Sequence, residues 1–481
     1  MQLMKTCRHF SAVRSSWCTS LRHQTGTSIK RGAGAEVTDL DIVGEANACP
    51  AKFQSKFLQT LLERGFIHQC TDYKALDAKM SAEVAVPAYL GFDATAPSLH
   101  VGSLLQIMIL RTLQKCGHKP IILIGGGTTK VGDPTGKDES RKLLSDEQIA
   151  ANAASLQSVF ELFLRFGDGP TDALLVNNAD WLDKVNYIAF LRDYGKHFTV
   201  NRLLTFDSVK QRLLRTQPFS FLEFNYILLQ SFDFLQLWRT HRVALQIGGS
   251  DQWGNIVSGV ELARKVDRAQ LFGLTAPLIA TSDGIKMGKT EAGAVWLSRE
   301  LLSEFDYWQF WRNTSDADVI RFLKLFTEVP LTRIEEMQNW QGSQLNAAKV
   351  LLADEATKLL HGENCLAGIH ATVHSLFAKK GVASAVASEG NELLSSLTKV
   401  LLNAEQNVKL QNGKLTIVEI LVHAQLAQSK AEARRMICAG AVKINDVKVE
   451  TEAATVQSCD FHSRTSLKLS SSKKKHVLIE W

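Results

Sequence analysis

Two short strings hold residue types suited to phosphate chemistry: His100-Val101-Gly102-Ser103 and, far downstream, Lys286-Met287-Gly288-Lys289-Thr290. The first is an imidazole and a glycine where a helix is expected to begin. The second sets two lysines in a glycine-bounded loop. A helix N-terminus offers unpaired N–H groups and a positive dipole end to an anion. Gly102 leaves room for a flat ring against the backbone. Lys286 and Lys289 can close over phosphates as negative charge develops on them.

The surrounding elements must bring these strings together. The first follows an apolar strand, Val86 to Phe92, and the turn Asp93-Ala94-Thr95-Ala96-Pro97, and it opens a helix from Leu104 to Gln114. The second lies in the loop Thr281 to Gly293, behind the apolar run Pro277 to Ala280. Lys52 to Gly65 reads as an amphipathic helix with Gly65 as its stop. Further strands are expected at Ile121–Gly125, Ala173–Val176 and Val243–Gly248, with a helical pattern over Asp146–Phe166. Alternating strands and helices predict an α/β fold, a Rossmann-like parallel sheet with helices on both faces. Ligands gather at the carboxyl ends of such strands, where Asp93, Gly125 and Gly248-Gly249-Ser250-Asp251 fall.

With 481 residues the chain should hold more than one domain. From Leu301 to about Lys379 the pattern is helical, with Val319–Phe326, Arg333–Asn339 and Leu345–Leu360 as clear examples. Gly381 to Gly390 is small and polar, a linker composition. Lys414 to Trp481 is a separate module. It has two short helices (Leu415–His423 and Lys430–Cys438), a hairpin turning at Asn445-Asp446, and a last strand, Val477 to Trp481. Lys430, Arg434 and Arg435 on the second helix and Lys473-Lys474-Lys475 before the last strand are candidates for RNA contact. The expected boundaries are 1–45 leader, 46–300 α/β domain, 301–380 helical domain, 381–411 linker and 412–481 terminal domain.

A net charge of +6 permits a nucleic-acid partner without requiring one. No apolar run is long enough to cross a bilayer. The eight cysteines form no Cys-x-x-Cys pair, so neither a zinc site nor a disulfide framework is expected. The first 35 residues carry Lys5, Arg8, Arg14, Arg22, Lys30 and Arg31, are rich in serine, and hold no acid before Glu36. That is the composition of an organellar transit peptide.

Between the two opening strings stand Tyr89-Leu90-Gly91-Phe92-Asp93-Ala94-Thr95, Gly125-Gly126-Gly127-Thr128 and Gly132-Asp133-Pro134-Thr135-Gly136-Lys137. Tyr226-Ile227-Leu228-Leu229-Gln230-Ser231-Phe232-Asp233 and Gln246-Ile247-Gly248-Gly249-Ser250-Asp251-Gln252-Trp253-Gly254-Asn255 follow. In this order, from about Phe53 to Trp481, the chain resembles the bacterial and organellar tyrosyl-tRNA synthetases, a class I family. The resemblance implies activation of L-tyrosine with ATP, accompanied by Mg2+, and transfer to tRNA(Tyr). It also implies a homodimer, a helical domain facing the anticodon arm, and a terminal RNA-binding domain like that of ribosomal protein S-four. With the leader, it implies the mitochondrial matrix.

Carried over residue by residue, the resemblance gives Asp133, Tyr226 and Gln230 the substrate ammonium, and Tyr89 and Asp233 its phenol. Asp93, Gly102, Ser103, Gly248, Asp251 and Gln252 fall on ATP positions. Thr95, His100, Lys137, Arg141, Lys286, Lys289 and Thr290 fall on the groups that meet the leaving pyrophosphate. No metal cage and no protein nucleophile are implied; positioning and charge stabilisation do the work. Ser103 departs from the family's usual second histidine or asparagine, and Met287-Gly288-Lys289-Thr290 from its Met-Ser-Lys-Ser. A tryptophanyl-type synthetase, and an RNA-binding or splicing factor that has lost catalysis, are the competing readings.

Overall fold

The computed structural model describes residues 48–134, 144–215, 219–284, 287–290, 293–377, 399–445, 447–461, 466–471 and 476–481. The expected leader (1–45), Lys137, Arg141, Lys286 and the Lys473-Lys474-Lys475 run lie outside these residues.

Six strands build the main sheet: β1 (Gln69–Cys70), β2 (Pro87–Phe92), β3 (Lys119–Ile124), β4 (Leu174–Asn177), β5 (Leu245–Gly249) and β6 (Phe272–Ala276). Their order is β1-β6-β5-β2-β3-β4. All neighbours are parallel except the edge pair β1 and β6. The chain runs outward from β2 through β3 to β4, then crosses back to lay β5 on the other side of β2. Strand order therefore reverses between β2 and β5, and ligands collect at such a switch point.

Side-chain alternation sorts the sheet's two faces. Ala88, Leu90, Phe92, Ile122 and Ile124 join one buried cluster. Tyr89, Ile121 and Leu123 join another, with Ile227, Phe232 and Phe234 of the helix Phe221–His241. Strand period thus sets Tyr89 against that helix, its ring 5.3 Å from Phe234. Ser220 caps the helix through a reciprocal capping box with Glu223.

Several boundaries differ from expectation. The helix after β2 spans Val101–Lys115, not Leu104–Gln114, because His100 itself caps it. Strands β1 and β6, at one end of the sheet, carry no readable alternation. Residues 399–411, expected as linker, instead supply β9 (Lys399–Leu401) and the helix Ala404–Gln411. Leu402 and Leu410 bury into the C-terminal core. The small sheet there adds β10 (Lys443–Ile444), β11 (Val447–Lys448), β12 (Ser466–Ser470) and β13 (His476–Glu480), in the order β11-β10-β12-β13-β9. The helical segment holds Glu304–Arg312, Val319–Phe326, Leu331–Glu336, Ser343–His361 and Asn364–Phe377. Trp311 is fully buried at its centre, against Phe322 and Phe326.

Candidate active site

A cavity of about 400 Å³ opens at the carboxyl ends of the central strands. Tyr89, Asp93, Thr95, His100, Ser103 and Asp133 line it, as do Tyr226, Gln230, Asp233, Gly248, Asp251 and Gln252. Twelve expected site residues, far apart in sequence, thus line one cavity.

At the inner end Asp233 is buried, 1% exposed. Its oxygens accept from Asn178 Nδ2 at 2.9 Å and from Trp181 Nε1 at 2.7 Å. Burial pushes its carboxyl up to about 7, the two donors pull against that, and the charge of Asp93 pushes the same way as burial. Asn178 cannot turn its amide over, because its Oδ1 already takes the Gly127 N–H at 2.7 Å. Its Nδ2 also reaches Thr128 Oγ1, which donates to Asp93 Oδ1 at 3.1 Å. Tyr226 OH stands 3.4 Å from both oxygens of Asp93. Burial, then the charge of Asp233, drives the Tyr89 phenol well above its ordinary range. Among the described residues the buried Tyr89 hydroxyl has no hydrogen-bond partner. Gln246 Oε1 and Gln106 Oε1 are in the same condition, and both residues line the cavity. Gln246 is Tyr89's neighbour across the β2–β5 pair. Buried polar atoms without partners are rare, and three around one cavity mark a place built for a polar ligand.

The helix Phe221–His241 presents Tyr226, Gln230 and Asp233 to the cavity, as positions one and two turns apart should. Gln230 joins a polar chain in which Asn255 Nδ2 donates to Gln230 Oε1 at 2.9 Å and to Gln252 Oε1 at 3.1 Å. Gln252 Nε2 in turn donates to Asp133 Oδ2 at 2.8 Å. Gln252, expected on the ATP side, is thereby tied to the ammonium group of residues. Asp93, also expected there, sits by Tyr226 and Thr128.

At the outer end the helix-start expectation needs correcting. Its first N–H groups are already taken: Val101 N by Val295 O at 2.9 Å, Gly102 N by His100 Nδ1 at 2.9 Å, and Ser103 N by His100 O at 2.8 Å. With Nδ1 accepting, a neutral His100 carries its proton on Nε2. The side chains that line this end of the cavity are the His100 imidazole and the hydroxyls of Thr95 and Ser103. Nor is the space at Gly102 open. A Cβ there would meet Met287 O at 2.8 Å, and one on Gly288 would meet Gly102 N at 2.6 Å. Gly288 has φ of +84°, a second reason for glycine. The missing side chains let the lysine-bearing loop lie directly on the helix start. Lys289–Thr290 then pair as β7 with β8 (Gly293–Ala294).

Residues 81–378 match the family model described as tRNA synthetases class I (W and Y). Residues 399–479 match one described as Tyrosine--tRNA ligase SYY-like C-terminal domain. The tyrosine–tRNA ligase of Caulobacter sp. (strain K31) is 56% identical over 430 residues, 89% of this chain and 99% of that protein. That of Zymomonas mobilis is 53% identical over 429 residues, with the same coverage. The chain belongs to the tyrosine–tRNA ligases, in class I of the aminoacyl-tRNA synthetases. A C-terminally truncated Aspergillus nidulans mitochondrial tyrosyl-tRNA synthetase superposes with a TM-score of 0.60 at 32% identity, covering 67% of this chain and 94% of that one.

For a tyrosine–tRNA ligase the structure adds Asn178, Trp181 and Gln106, which no sequence motif contains, and gives places to Thr128, Gln246 and Asn255, which the motifs contain without a role. Asn178 and Trp181 look like a polar end and an aromatic after β4. Only an expectation that Asp233 is buried, and so needs donors, could have pointed to them.

Proposed function

We propose that this tyrosine–tRNA ligase joins the carboxylate of L-tyrosine to the α-phosphate of ATP, releasing pyrophosphate, and passes the tyrosyl group to the 3′ end of tRNA(Tyr). Mg2+ enters with ATP. The observation that carries this reading is the inner end of the cavity. A buried carboxylate with both oxygens held by donors, beside an unpartnered tyrosine hydroxyl, suits a substrate phenol and penalises a plain phenyl ring. Asp133, Tyr226 and Gln230, braced by Gln252 and Asn255, suit the ammonium. The tyrosine carboxylate attacks directly, and His100 Nε2, Thr95 and Ser103 face the phosphates. Gly248 and Asp251 border the nucleotide. Lys137, Arg141, Lys286, Lys289 and Thr290 meet the departing pyrophosphate. The test is ATP–pyrophosphate exchange by the purified chain without its leader. Tyrosine should drive it, and exchange driven by tryptophan, or none with tyrosine, defeats the reading.

On the helix Lys430–Cys438, Lys430, Arg434 and Arg435 are exposed, which supports tRNA contact there. Residues 187–222 expose Ile188, Leu214 and Phe221 at 71%, 69% and 67%, an apolar surface suited to a homodimer. Phe219 and Phe224 pack on each other edge to face, whereas Phe221 is exposed. Sedimentation of the purified chain at the dimer mass is the expected result. The first 35 residues, rich in arginine and serine and without an acid before Glu36, support the mitochondrial matrix as location. A reporter fused behind residues 1–45 should be imported.

A further inference from the structure

The helical segment holds the stem of the lysine-bearing loop by two polar contacts at one point. Asp318 precedes the helix Val319–Phe326 in the cap position, where an aspartate ordinarily accepts an N–H of its own helix. It makes no such bond. Its carboxylate, 3% exposed as a residue, instead accepts the backbone N–H of Ser282 at 2.7 Å through Oδ2. Its Oδ1 takes Arg321 Nη2 at 3.0 Å. That same Arg321 nitrogen donates to Ala280 O, and the guanidinium lies over the Phe322 ring, 5.1 Å from its centre. An ion pair thus grips the peptide run Ala280–Ser282 from both its donor and its acceptor side. Charge-assisted bonds of this kind are the stronger ones.

That grip continues into the loop by a short path. Gly284 N donates to Thr281 O at 2.9 Å, and Met287 N donates to Ile279 O at 3.0 Å, closing the loop across its base. Met287 O and Gly288 then lie against Gly102 and His100. Val295 N returns to Gly288 O at 3.0 Å. From Asp318 to the cavity rim the path runs through hydrogen bonds and a few peptide units.

We propose that Asp318 and Arg321 are positioning residues for adenylate formation, a latch from the helical segment that sets where the loop carrying Lys286 and Lys289 rests on the helix start. This rests on the proposed function above. The latch touches no substrate, so it acts only through the lysines. Its loss should therefore appear where they act, in the activation rate, and leave the inner tyrosine pocket alone.

The test measures pyrophosphate exchange and equilibrium tyrosine binding on wild type, Asp318→Ala and Arg321→Ala. Each is also measured with Lys289→Ala. Either latch variant should lower kcat for activation about 10-fold or more, the effect of misplacing a catalytic group by about an ångström. Tyrosine affinity should stay within about twofold. In the Lys289→Ala background the same changes should add less than about threefold, since residues acting as one unit are not additive. Asp318→Asn, which keeps an acceptor for Ser282 N, should restore part of the rate. Should Asp318→Ala fail to fold, Arg321→Ala decides, because that side chain is nearly half exposed. Wild-type rates in the folded variants, a loss confined to tyrosine binding, or losses that multiply with Lys289→Ala would each overturn the latch. Absence of tyrosine-dependent exchange in the wild type would instead overturn the functional reading.

Discussion

Replacing Asp233 by asparagine should move stability and function in opposite directions at alkaline pH. The carboxyl is raised from 3.8 to about 7, chiefly by burial. A carboxyl raised in the folded state contributes stability that is fully present below its unfolded pKa, and loses it as pH climbs through the folded one. Above pH 8 the native protein therefore carries a penalty on the order of 4 kcal/mol, about three pK units at ~1.4 kcal/mol each. Asparagine removes that penalty. It also brings a new donor to a site that needs acceptors. Asn178 Nδ2 and Trp181 Nε1 both point donors at residue 233, and Gly127 N holds the Asn178 amide in place. An opposed, unpaired donor costs about 1–3 kcal/mol. Net, Asp233→Asn should be more stable than wild type by roughly 1–3 kcal/mol at pH 8 and less stable by a similar amount near pH 4. Denaturant melts across that range measure the crossing. In exchange assays the variant should lose about 10- to 10²-fold in kcat/KM for tyrosine, since a hydrogen bond to a charged group is worth ~1.5–3 kcal/mol. Phenylalanine, which makes no such bond, should lose far less. Wild-type kcat/KM should rise with pH through about 7 as Asp233 ionises in the free enzyme. The variant should lack that limb. An unchanged tyrosine-to-phenylalanine ratio, or a stability difference with no pH dependence, would refute the reasoning.

Three other outcomes are expected. Lys289→Ala should lower kcat for activation about 10²-fold, the usual loss for one oriented donor of charge, with tyrosine KM nearly unmoved. Gly288→Ala, at φ of +84° with Gly102 N 2.6 Å from the new Cβ, should lift the loop off the helix start. Exchange should fall about 10-fold while the melt shifts by only ~1 kcal/mol. Lys430→Ala with Arg435→Ala should raise the tRNA KM in charging and flatten its salt dependence by about two counterions, leaving exchange unchanged.

Much of the fold was legible because its signals are local. Helical spacing is enough to set Tyr226, Gln230 and Asp233 on one wall, whereas Tyr89 came to the pocket through the family resemblance, and the structure adds that strand period turns it toward the helix Phe221–His241. The partners of Asp233 were not legible. Asn178 and Trp181 lie 55 and 52 residues upstream, and only the crossover from β4 to β5 brings them near. The strand at Lys399–Leu401 was missed for a related reason. It pairs in parallel with β13, close to the end of the sequence, and nothing in three residues announces that. Sequence reasoning also gave the helix start free N–H groups; His100 takes two of them locally, and the third is taken by Val295 O, from a segment nearly two hundred residues away.

That correction changes how the phosphate end must work. A helix whose first donors are consumed keeps its dipole but gives up the fixed backbone cradle that would bind a phosphate whatever the side chains did. Under the proposed function, phosphate binding then falls to the side chains of His100, Thr95 and Ser103 and to the lysines of the loop. Side-chain charges are useful to a transition state only when held in place, because moving them during reaction costs what preorganisation would have saved. The two glycines that let the loop seat on the helix start, and the Asp318–Arg321 grip on its stem, answer that requirement. The tyrosine end meets the same requirement differently, with groups fixed in the core. Substitutions at the inner end should therefore change which amino acid is accepted. Substitutions along the loop and its latch should change how fast the accepted one reacts.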